Sequence, residues 1–83
     1  MPDLRVEIPD PPTPLIVHRF RNFGEAVYRA FRELHSVSIS EIDASINVFY
    51  VRGVTRRSIR AVSKEIVRIA EQHKFAASVV AVD

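Results

Sequence analysis

The sequence predicts a single α+β domain in the order β-α-β-β-α-β, with a four-stranded antiparallel sheet and two helices on one face. Three observations predict it. Two segments carry apolar residues at helical spacing, and short alternating or β-branched runs flank each of them. The chain of 83 residues has room for one core and no second domain.

Taken in order, the chain opens with Leu4, Val6 and Ile8 alternating with Arg5 and Glu7, a pattern suited to an added edge strand or to docking on a partner. Pro9-Asp10-Pro11-Pro12-Thr13-Pro14 excludes helix and inner strand, because proline lacks a donor and fixes φ. Residues 1–14 are therefore expected as an extended proline-rich leader and residues 15–83 as the domain. Leu15 to Phe20 is β-branched and apolar and is expected as a central strand. Asn22 offers an N-cap with Glu25 completing a capping box, and Phe23, Val27, Ala30, Phe31 and Leu34 make one helical stripe through about His35.

Val37 to Ile42 alternates, Asp43-Ala44-Ser45 suits a turn, and Ile46 to Val51 reads as the returning strand of a hairpin. Thr55 is the expected cap of a second helix whose buried stripe is Ile59, Val62, Ile66, Ile69 and Ala70. Ser78 to Val82 is the final strand. Two right-handed crossovers around a hairpin give the strand order 4-1-3-2, which resembles the ferredoxin-like superfold. That resemblance implies a frame and no particular chemistry.

Composition narrows function. Hydrophobic residues are 47% and charged residues 27%, as in globular chains, so a disordered, collagen-like or coiled-coil protein is excluded. No apolar run approaches the length of a membrane span. The acidic, proline-containing start does not resemble a secretory signal, and a cytoplasmic protein is expected. With no cysteine, disulfides, thiolate metal sites and cysteine nucleophiles are excluded. A domain this small buries about 60% of its unfolded surface, so a homodimer is expected.

The net charge of +2 hides an uneven distribution: from Arg52 to Lys64 there is no acid, while Arg56, Arg57 and Arg60 fall between them. Helix starts favour acids, so Arg56 and Arg57 in the expected first turn set up a conflict that a bound anion would resolve. Arg52, Gly53, Thr55, Arg56, Arg57 and Arg60, with His35 at the same end of the sheet, form the candidate anion or partner site. The plain alternative is solvated surface charge, with Glu33 placed to pair with Arg57 or Arg60.

A second candidate surface is the sheet face away from the helices, with His18, Ser38, Ser40, Asn47 and Phe49, or Tyr50 in place of Phe49 if the hairpin register shifts by one. An aromatic ring on such a face resembles RNA-recognition motifs, which would imply base stacking, although their basic-Gly-aromatic run is missing here. His18, His35 and His73 fall on separate elements, and no paired carboxylates or metal-ligand spacing stand out. The expectation is a non-catalytic, cofactor-free, metal-free binding module for an anionic small molecule or acidic protein. The alternative is single-stranded nucleic-acid binding through the same arginines and the open sheet face.

Overall fold

A half-buried strand needs two unlike faces, and Asp3–Glu7 has them. Leu4 and Val6 are buried while Asp3, Arg5 and Glu7 stay partly exposed. In the computed structural model, which describes residues 3–32, 38–39 and 47–82, this segment is strand β1. The further elements are α1 (Pro14–Phe31), β2 (Ser38–Ile39), β3 (Val48–Arg52), α2 (Ile59–Gln72) and β4 (Ser78–Val82). Asp3–Glu7 was expected within an extended leader and is instead the central strand, paired antiparallel with β3 on one side and β4 on the other.

The expected first strand, Leu15 to Phe20, is helical. Thr13 is extended at φ −73° and ψ 158°, its Oγ1 accepts from Ile16 N at 3.3 Å, and Pro14 fills the first helical turn, where its missing donor costs nothing. Ile16, Phe20, Phe23, Val27 and Phe31 then lie on one stripe, with Phe20, Phe23, Val27 and Phe31 buried. Tertiary burial of that stripe overrides the β propensity of Ile16 and Val17. The expected cap at Asn22 is therefore an exposed mid-helix position.

The sheet corrects the expected four-stranded ferredoxin-like arrangement. Three strands of five residues form an antiparallel sheet in which β1 lies between β3 and β4, with Val6 opposite Phe49 and Val79. Beyond β3 the described residues add just the two-residue piece β2, with Ser38 opposite Arg52, so the order across the ladder is β2-β3-β1-β4. Among the described residues the hairpin expected from Val37 to Val51 is reduced to that contact. Its turn, Asp43-Ala44-Ser45, and Ser40 lie outside them.

Both helices cover one face of the sheet, contributing Phe20, Phe23, Val27, Val62, Ile66 and Ile69 to a core shared with Leu4, Val6, Phe49 and Val51. At its centre are four phenylalanines. Phe20 and Phe23 lie 5.3 and 5.5 Å from Phe49, ring centre to ring centre, and each lies 6.1 Å from Phe75. The tilted and edge-on geometries suit the ring quadrupoles. Arg19 ties the helices together: its Nη2 donates to His73 O at 2.9 Å, at the C-terminus of α2, and its guanidinium stands 5.0 Å from the Phe75 ring centre.

The end of α2 is a Schellman motif. Phe75 N donates to Ala70 O at 2.9 Å and Lys74 N to Glu71 O at 3.0 Å, with Lys74 left-handed at φ 62°. A lysine in that region strains against its own Cβ, which glycine would not. Lys74→Gly is expected to stabilise the domain by about 0.5–1 kcal/mol, read from the midpoint of urea unfolding. Phe20→Ala is expected to cost about 3–5 kcal/mol. At about 0.05–0.15 kcal/mol per residue for a typical fold, that is a large part of the total, and loss of the cooperative thermal transition would show it.

Candidate functional site

The basic segment after β3 is shaped by alternating anchors. Gly53 takes φ 83°, which lets the chain leave the sheet sharply after the exposed Arg52. Val54, buried in the core, holds the segment down. Thr55 to Ser58 then form a turn: Ser58 N donates to Thr55 O, and Thr55 Oγ1 donates to Ser58 Oγ, both at 3.0 Å. Helix α2 starts at Ile59, with its first bond from Val62 N to Ser58 O.

Arg56 and Arg57 therefore sit in the turn before α2 and not in its first turn, and Ser58 rather than Thr55 is the N-cap. Arg60 is the helical one of the three, and all three are exposed. Ser58 makes no side-chain cap bond, and the first turn holds no acid, so the helix start lacks both usual partners of its amides. Among the described residues the ion pairs are Arg5–Glu7, Arg29–Glu25, Arg52–Asp3 and Arg68–Glu65, and Arg56, Arg57 and Arg60 belong to none of them. His35 and Glu33 lie outside the described residues.

The second candidate surface is rearranged. Phe49 is fully buried against Phe20 and Phe23, so it is a core residue and not an open-face ring. His18 lies on the exposed side of α1, because its segment is helix and not strand. Asn47 is a buried turn residue, 1% exposed and left-handed at φ 50°, whose Nδ2 donates to Asp10 O at 3.1 Å. It pins the proline-rich link to the entry of β3, while its Oδ1 has no hydrogen-bond partner among the described residues. Of that group Ser38 remains on the open face, exposed and opposite Arg52.

Pairing and alternation give this face Asp3, Arg5 and Glu7 from β1, Val48, Tyr50 and Arg52 from β3, and Ser78, Val80 and Val82 from β4, with Val48 buried. It carries two separate ion pairs. Arg5 meets Glu7 at 2.8 Å and Arg52 meets Asp3 at 3.8 Å. Hydrogen bonding to Glu7 first, and to Tyr50 second, holds the Arg5 guanidinium above its ordinary range. Tyr50 is thus partly buried beside a cation, a different setting from the uncovered stacking ring expected.

Sequence reasoning missed Arg19 and placed Asn47 on the open sheet face instead of in a buried turn; both roles depend on residues far along the chain, and no local pattern announces either. Among the described residues no group of three or more histidine, cysteine or acidic side chains could hold a metal ion. Among the described residues no helix is long and apolar enough to cross a membrane. Comparison of the chain with protein-family models, curated proteins and solved structures found no match.

Farther along α2, Arg68 Nε donates to both Glu65 carboxylate oxygens, at 2.9 and 3.0 Å, and this hydrogen bonding lowers the Glu65 pKa below its ordinary value. A depressed carboxylate adds stability above its unfolded pKa and loses it as pH falls through the folded value. Arg68→Ala is expected to move the Glu65 carboxyl titration upward, toward that of an ordinary glutamate, in a carbon-detected NMR titration. Because the pair is exposed, the accompanying change in stability is expected to be small.

Proposed function

We propose that this chain is a non-catalytic binding module whose basic turn, Arg56 and Arg57 with Arg60 and Arg52 beside them, takes an anionic ligand or an acidic surface of a partner. The observation that supports the reading is three exposed guanidinium groups that belong to no ion pair among the described residues, next to a helix start that has neither an acid nor a side-chain cap. Arginine presents a fixed fork of donors to phosphate or carboxylate, and the free amides of α2 add donors of the same sense. Burial of Val54 holds this turn against the core, which reduces the ordering that binding would require.

The nucleic-acid reading has less support. It needs an aromatic platform, and Phe49 is in the core while Tyr50 is engaged by Arg5. The arginines alone would give phosphate contacts without base stacking.

A thermal-shift titration of wild type and the Arg56→Ala/Arg57→Ala variant with inorganic phosphate, pyrophosphate, ATP and a short single-stranded RNA tests the reading. Pyrophosphate or ATP is expected to raise the wild-type Tm, with about 2.7 kcal/mol of stabilisation at a hundredfold excess over Kd, and to leave the variant unmoved. A variant that is simply more stable, with no anion response in either protein, would show the arginines to be repelling surface charge. A response confined to RNA, falling steeply with salt, would favour the nucleic-acid reading.

A further inference from the structure

Strand β4 ends the ladder: it pairs with β1 on one side, and among the described residues nothing pairs with the other. Exposed edges are usually blunted by a charge, a proline or a bulge. Ser78-Val79-Val80-Ala81-Val82 has no charge and no proline, and its register with β1 is continuous from Ser78 to Val82. Val80, at its centre, is 49% exposed on the open face. A second copy of the same strand is chemically suited to this edge.

We propose that two copies of this chain pair antiparallel through β4, about a two-fold axis at Val80, joining the two sheets into one. Ser78 then lies opposite Val82 of the second copy, Val79 opposite Ala81, and Val80 opposite itself, so no charge meets a like charge. The pairing also brings Val80 and Val82 of both copies into one apolar strip on the open face.

The helices agree with the strand. Helix α2 packs against β4 and leads into it through a short turn, so the same axis sets the two α2 helices antiparallel above the seam. Arg60 and Lys64, near the start of each, then lie toward Glu71, near the end of the other. The helix dipoles are opposed in the favourable sense. A parallel arrangement would put the basic starts together.

The chain has no cysteine, so Val80→Cys introduces a single thiol at the axis. Residues directly opposite across an antiparallel pair have Cα atoms about 4.5–5.5 Å apart, within disulfide reach. In mild oxidant Val80→Cys is expected to convert to a covalent dimer at low micromolar concentration, at least about tenfold faster than Ala76→Cys, an exposed position off the strand. Sedimentation of wild type is expected to show a monomer–dimer equilibrium. Val80→Lys, which places two like charges at the axis, is expected to raise the dimer Kd by about tenfold or more, with unchanged far-UV circular dichroism and Tm at low concentration. The Arg56→Ala/Arg57→Ala variant is expected to dimerise as wild type does, which separates this interface from the anion site. A wild type that stays monomeric to millimolar concentration, or a dimer indifferent to Val80→Lys and no quicker to crosslink at residue 80 than at 76, overturns the proposal.

Discussion

Covering the apolar face of β1 is the constraint on which the other elements depend. Leu4 and Val6 are fully buried in a strand paired on both sides, so the face they present must be roofed over its whole length. Four phenylalanines supply the middle of that roof, two from α1, one from β3 and one from the turn after α2. Each ring is large enough that its position fixes the element that carries it. The start of α1 at Pro14 follows from this need, because Ile16 and Phe20 reach the core when their segment is helical.

The ends of the helices are treated differently, and the difference organises the surface. The C-terminus of α2 is satisfied by the Schellman bonds and by Arg19, and the buried Phe75 anchors it to the core. Its start has a turn held by Thr55 and Ser58 but no acid and no cap bond. The molecule thus has one electrostatically finished end and one that presents donors and guanidinium groups to solvent.

Legibility in the sequence followed the range of the interactions. The stripe of α2 and the strand Ser78–Val82 could be read directly, because the helical spacing of the one and the β-branched run of the other are local patterns. The α+β class followed from the same patterns. The segment from Asp3 to Phe20 was misread, since a β-branched run looked more like strand than the short alternating one before the prolines. Nothing in Leu4-Arg5-Val6 announces that two partners, from β3 and β4, will arrive on either side. The basic turn was visible as composition, but its start one turn before α2 depends on Val54 being drawn into the core, which is a tertiary fact.

The place of β1 at the centre of the sheet also bears on how the chain reaches its fold. Val6 lies between Phe49 and Val79, so the innermost strand has no neighbour close to it in sequence. Each of its two ladders closes a long loop, whose entropy is lost before any hydrogen bond is gained. The two helices can form early, but the sheet they cover cannot be nucleated by a local hairpin around β1. A domain wired this way is expected to fold more slowly than a helical bundle of equal length, with β4 lacking its place in the sheet until β1 is in position.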